Sequence, residues 1–173
     1  EEIVGQEHIL GEGMLLRRMI AGDTASSLLF WGATGTGKTT FAHVIAHESS
    51  GHVETFNAAM IGVQDIRRII EESKKRIEQD NGRTTLFLDE IHRFSRSQQD
   101  VLLEAVEQGI LILIGATTEN PSYSVNNALI SRSTVLRLEP LSEENIVAIL
   151  MRALHDKRGY GLLELNVCDT AIQ

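Results

Sequence analysis

The run Gly32-Ala33-Thr34-Gly35-Thr36-Gly37-Lys38-Thr39 constrains this chain more than any other stretch. It satisfies G-x-x-x-x-G-K-[ST], and it sits where that motif needs to sit: the apolar segment SLLFWG at 27–32 leads in, and KTTFAHVIAHES at 38–49 leads out with helical spacing. Glycines let the backbone curl until several N–H groups face one hollow. The start of the helix adds the positive end of its dipole. Lys38 would bring a full positive charge to the β- and γ-phosphates of a nucleoside triphosphate, and the Thr39 hydroxyl suits Mg²⁺. The expected nucleotide-binding set is therefore Gly32, Ala33, Thr34, Gly35, Thr36, Gly37, Lys38, Thr39 and Thr40, with ATP and Mg²⁺ as ligands.

The rest of the chain alternates strand and helix patterns. HVETF at 52–56, RTTLFLDE at 83–90, ILILIGATT at 110–118 and TVLRL at 134–138 read as further strands. Between them, 63–82 is an amphipathic helix with Ile66, Ile69, Ile70 and Ile77 on one stripe and Asn81-Gly82 as its stop. The segment 97–109 is a second helix with Ser97 as N-cap. Continuous apolar strands joined by helices predict a five-stranded parallel sheet covered on both faces, an α/β P-loop αβα sandwich. Pro140 marks a break, after which SEENIVAILMRALHDKRG at 142–159 reads as an amphipathic helix outside the sheet. The expected division is a core at 1–139 and the beginning of a second domain at 140–173, with LNVCDTAIQ opening another element.

LFLDEIH at 86–92 delivers Asp89 to the C-terminal end of a buried strand, where open α/β sheets bind ligands. Asp89 is expected to hold Mg²⁺ and Glu90 to orient and polarise the attacking water. His92 has no metal-ligand spacing around it and reads as a surface or interface residue. The tip of the 110–118 strand should lie beside that of the Asp89 strand, so that Thr118, with Asn120 just beyond, can touch the γ-phosphate or the lytic water. Arg132 follows a polar, helix-like segment at the rim. It is expected to reach a neighbouring copy's γ-phosphate rather than its own, where an arginine neutralises charge as the bond breaks.

A net charge of −8 means that any contact with nucleic acid must be local or depend on assembly. The single Cys168 can make no internal disulfide and fits a reducing cytoplasm. No apolar run approaches the roughly 20 residues that span a bilayer, so no membrane association is expected.

The set Gly32–Thr39, Asp89-Glu90, Thr118 and Ser131-Arg132 resembles the AAA+ ATPases. GQEHILG at 5–11, LFLDEIHRFSRSQQD at 86–100 and GATTENPSYSVNNALISRS at 115–133 narrow the resemblance to the replication-associated recombination protein A family, whose eukaryotic relative is the Werner-helicase-interacting protein. The resemblance implies a DNA-dependent ATPase of the clamp-loader branch, acting in replication, recombination or repair at stalled forks and single-strand/double-strand junctions, and assembling as a homotetramer. It makes 140–173 the start of a helical lid. It also implies that Ile3, Val4 and Gly5 line the adenine pocket, that Thr118 is the first sensor and that Arg132 is the arginine finger. Asn57 is similar to a switch residue that holds the catalytic glutamate off, and Arg93 and Arg96 would face DNA. Ala33-Thr34 departs from the Pro-Pro pair often found in this loop, and the family's second sensor arginine is expected beyond residue 173. A protein-remodelling ATPase and a non-hydrolysing scaffold are the alternatives. The first would need an aromatic-glycine pair that FNAAMIGVQD at 56–65 lacks.

Overall fold

The computed structural model describes residues 3–11, 14–20, 26–48, 51–79 and 82–163. Two short helices, α1 (Glu7–Leu10) and α2 (Leu15–Ile20), precede strand β1 (Ser27–Trp31). There follow α3 (Lys38–Glu48), β2 (His52–Asn57), α4 (Val63–Glu78), β3 (Thr84–Asp89), a 3₁₀ turn (Ile91–Arg93) and α5 (Arg96–Glu107). The chain continues through β4 (Leu111–Thr117), α6 (Pro121–Ser124), α7 (Asn127–Ser131), β5 (Ser133–Arg137) and α8 (Glu143–His155).

The five strands form one parallel sheet in the order β2-β3-β4-β1-β5. The connection through α3 carries the chain past two strand positions to the far edge. The next two strands walk back, so β4 lies between the strand entering the phosphate loop and the strand ending in Asp89. Because every pair is parallel, all C-terminal strand ends share one edge, and the turn in strand order leaves a crevice there.

Side-chain alternation explains why the three central strands are apolar throughout. Leu29, Leu86, Leu88 and Leu113 pack on one face with Ile66, Ile69 and Leu102 from α4 and α5. Leu28, Phe30, Phe87 and Ile114 pack on the other with Phe41 of α3 and Leu138. A period of two thus feeds two cores. The edge strands β2 and β5 are only partly covered.

Three local expectations need correction. Ile77 is 41% exposed and does not continue the apolar stripe of α4. At the end of that helix Arg76 takes over, donating from Nη1 to Glu54 Oε1 at 3.0 Å and Thr84 Oγ1 at 3.2 Å, so the last turn closes on β2 and β3 by polar contacts. The cap of α5 is Ser95, not Ser97. Ser95 N donates to Gln98 Oε1 at 2.9 Å and Gln98 N to Ser95 Oγ at 3.4 Å, a reciprocal capping box that starts the helix two residues earlier. Finally, α8 ends at His155 rather than near 159, with Asp156 as its C-cap. Pro140 precedes this helix, which carries no buried residue. Asn81, Cys168 and the segment 165–173 lie outside the described residues. Among the described residues, no helix is long and apolar enough to cross a membrane.

Candidate nucleotide site

A cleft of about 320 Å³ opens at the C-terminal edge of the sheet, lined by Thr34, Gly35, Gly37, Lys38, Thr39, Thr40, Asp89, Glu90 and Thr118. Three strand ends therefore contribute to one hollow. The loop after β1 curls through Gly35 (φ +82°) and Gly37 (φ +94°), a left-handed backbone that side chains disfavour. Thr36 Oγ1 donates to Ala33 O at 2.9 Å and pins the curl from inside. Gly32, Ala33 and Thr36 frame the loop without lining the cleft.

Lys38 is 8% exposed, and its Nζ donates to Gly32 O at 2.9 Å and Ala33 O at 2.8 Å. Burial pushes its pKa below the usual lysine value, while the negative charges of Asp89 and Glu90 act in the opposite direction. The ammonium is thus held by the loop that it would serve.

Asp89 ends β3, and its Oδ1 accepts from Glu90 N at 3.0 Å. Glu90 adopts a left-handed backbone (φ +56°) and turns the chain into the 3₁₀ segment, whose Ile91 is fully buried. Gly115 makes room for that anchor: a Cβ there would stand 3.2 Å from Ile91 Cδ1 and 2.6 Å from Leu29 Cδ2. Of the surface or interface setting expected for His92, the surface half does not hold. Its side chain is 9% exposed, with Nε2 3.2 Å from Glu90 Oε2 and Nδ1 2.9 Å from Thr117 Oγ1. The strand β4 ends at Thr117, which is fully buried, and the exposed Thr118 follows it into the cleft.

Asn57 is opposite Asp89 in the sheet register, and its Oδ1 accepts from Ala59 N at 2.9 Å as a turn former. Asn120 caps α6 through Ser122 N at 3.0 Å and does not line the cleft. Ile3 and Val4 also stand outside the lining; Ile3 packs against the core cluster of Ile9, Phe41 and Leu138.

Arg132 caps the C-terminus of α7, outside the cleft lining. Its Nη2 lies 3.0 Å from Glu107 Oε1, and Nη1 donates to Ser131 Oγ at 3.3 Å. The α6–α7 segment that leads to it is tied to α5 by the buried Gln99, whose Nε2 donates to Phe94 O (3.0 Å) and Ser124 O (3.1 Å) while Oε1 accepts from Asn126 N at 2.6 Å. Arg93 and Arg96 are exposed beside this region.

Sequence reasoning missed four of these side chains: Thr117, Gln99, Gln6 and the true setting of His92. Gln6 is buried in a left-handed backbone, and its amide joins Thr36 O at 3.4 Å to both backbone groups of Glu139. Its position beside Gly5 in a GQ pair is visible in the sequence, but nothing there points to residue 139.

The oxygen donors Thr39 and Asp89 face the same cleft and suit Mg²⁺, which takes few protein ligands and completes its shell with phosphate and water. Among the described residues no group of three or more His, Cys, Asp and Glu side chains could hold a metal ion.

The family model of the ATPases associated with various cellular activities matches residues 28–141, which span the phosphate loop and all of the five strands but Ser27. The chain belongs to the AAA family. Within it, the chain is 44% identical over 174 residues to replication-associated recombination protein A of Haemophilus influenzae, covering 100% of this chain and 39% of that protein. It is 40% identical over 153 residues to the ATPase WRNIP1 of Dictyostelium discoideum, covering 88% and 17%. The RuvB Holliday junction branch migration motor of Thermotoga maritima has the same AAA fold, with a TM-score of 0.73 and 26% identity over 98% of this chain and 55% of that one. The resemblance read from the three sequence blocks is thus met by the relatives, and the P-loop αβα core by the fold. The chain spans two fifths or less of the length of these curated relatives.

Proposed function

We propose that this domain hydrolyses ATP with Mg²⁺ in a DNA-dependent manner, as the motor of a protein that maintains replication forks or acts in recombination and repair. The observation that supports the hydrolytic half is the single cleft shared by Lys38, Thr39, Asp89, Glu90 and Thr118. Loop N–H groups and Lys38 bind and orient the triphosphate. Thr39 and Asp89 would hold Mg²⁺, which when bound neutralises charge on the β- and γ-oxygens. Glu90 orients and polarises the attacking water, and Thr118 senses the γ-phosphate from the neighbouring strand. Arg132 of an adjoining copy completes the site, which makes the working unit a homo-oligomer, a tetramer by family resemblance. Ile3 and Val4 would bound the adenine, and the lid would begin near residue 140.

The DNA half rests on the relatives, whose names tie them to replication, recombination and Holliday junctions. On this chain, the exposed Arg93 and Arg96 are the candidates for phosphate contact. ATPase rates of the full-length protein, with and without forked DNA, test both halves. Stimulation by DNA and loss of turnover in Glu90→Gln with ATP still bound are expected. Absence of turnover in the parent protein would remove the hydrolytic assignment, unchanged turnover in Glu90→Gln would remove Glu90 from the reaction, and no stimulation would remove the DNA assignment alone.

A further inference from the structure

Glu90 does not stand free in the cleft. Its Oε2 is 3.2 Å from His92 Nε2, and the other ring nitrogen is 2.9 Å from Thr117 Oγ1. Glu119 Oε1, at 3.9 Å from Nε2, is beyond hydrogen-bond reach. The Thr117 hydroxyl also accepts from Glu119 N at 3.0 Å, and Glu119 O lies within its donating reach at 3.4 Å.

The donor directions follow from what each group can do. An ionised carboxylate only accepts, so Nε2 carries the hydrogen toward Glu90. In a neutral ring Nδ1 is then an acceptor, and at 2.9 Å it is a nearer target for the one hydroxyl hydrogen of Thr117 than Glu119 O at 3.4 Å. The donors run in one direction: Thr117 to His92 to Glu90. Both anchors belong to the packed fold. Thr117 is fully buried and paired with Trp31 in the sheet, and the 3₁₀ turn carrying His92 is fixed by the buried Ile91 and by Arg93 N donating to Glu90 O at 2.8 Å.

The geometry points to His92 as the positioning residue of Glu90, coupling the carboxylate to the tip of β4. The imidazole occupies one carboxylate oxygen and leaves the other for water. Thr117 precedes Thr118, which lines the cleft, so a displacement of that tip by a γ-phosphate is passed through the ring to Glu90. Asn57, by contrast, spends its side-chain oxygen on Ala59 N. This role rests on the reading of Glu90 as the residue that orients water.

The test compares kcat, KM and the Kd for a fluorescent ATP analogue in the full-length protein and its Glu90→Gln, His92→Ala, His92→Gln and Thr117→Val variants. His92→Ala is expected to lower kcat by about 10- to 100-fold, as misplacement of a reacting group does, while the nucleotide Kd changes by less than about threefold. His92→Gln, which keeps an N–H donor, recovers part of the loss. Thr117→Val lowers kcat in the same direction and adds little on top of His92→Ala, because both break one chain. A His92→Ala protein with the parent kcat, or one that loses affinity as steeply as turnover, overturns the role, as does a glutamine variant no better than alanine. If Glu90→Gln itself turns over normally, the reading of Glu90 as the water-orienting residue fails first and the positioning role goes with it.

Discussion

Arg132 is paired across α7 and α5 with Glu107, Nη2 to Oε1 at 3.0 Å, and the two side chains are 53% and 42% exposed. An ion pair this exposed contributes about 0–1 kcal/mol. The contact therefore orients the arginine without locking it, as the proposed reach to a neighbouring subunit's triphosphate requires. Glu107→Ala should leave unfolding free energy within about 1 kcal/mol of the parent. Arg132→Ala should bind ATP yet lose on the order of 10³-fold or more in turnover. Mixing inactive Arg132→Ala with inactive Glu90→Gln protein should restore part of the rate, because some interfaces then unite an intact glutamate with an intact arginine. A mixture that stays inactive places Arg132 outside its neighbour's site.

Gly115 is a packing requirement beside the turn that carries Glu90. An alanine Cβ there would lie 2.6 Å from Leu29 Cδ2 and 3.2 Å from Ile91 Cδ1. Leu29 is fully buried and has little room to yield, and Ile91 anchors the turn that carries Glu90 and His92. Overpacking of this kind destabilises by about 1–3 kcal/mol. Gly115→Ala should lower the denaturation midpoint with an unchanged m-value, and reduce kcat together with it. A stability loss at full kcat would show that Leu29 moves and the 3₁₀ turn does not.

The fold was largely legible in the sequence because its strong signals are local. An apolar run that ends in a glycine-rich loop and opens a helix names both its elements, and the continuous apolarity of 86–88 and 110–114 announces strands buried on both faces. The side-by-side tips of β3 and β4 were inferred correctly. Boundaries failed where two signals competed: Ser95 and Ser97 stand two residues apart, and the Gln three residues after Ser95 closes the capping box that puts Ser97 inside the helix. The stripe of α4 failed at Ile77 because periodicity cannot say where the sheet beneath a helix ends. Partners such as His92 and Thr117, 25 residues apart, leave no trace in spacing at all.

Gln99 shows the same limit from the stability side. It is 2% exposed, on the helix face that it shares with the buried Leu102 and Ala105, and it satisfies Phe94 O, Ser124 O and Asn126 N at once. Gln99→Leu keeps much of the volume but strands three backbone groups. Each such group costs about 1–3 kcal/mol when buried without a partner. The variant should lose several times the stability change of Glu107→Ala in denaturant unfolding, and its turnover should fall as the segment leading to Arg132 loosens. Unfolding free energy within about 1 kcal/mol of the parent would mean that water replaces the amide there.

Gln6 sets two opposing backbone effects against each other. Its Nε2 donates to Glu139 O at 2.7 Å, its Oε1 accepts from Glu139 N at 3.0 Å, and its φ is +64°. Gln6→Ala and Gln6→Gly delete the same side-chain bonds, so their difference isolates the backbone. A left-handed conformation burdens a residue with a Cβ by roughly 1–2 kcal/mol, whereas glycine's extra freedom in the unfolded chain usually makes it the worse choice by about 0.5–1 kcal/mol. The first term is the larger, and Gln6→Gly should be the more stable of the two by up to about 1 kcal/mol in denaturant unfolding. An alanine variant more stable than the glycine variant would mean that residue 6 abandons the left-handed region once its amide no longer holds Glu139.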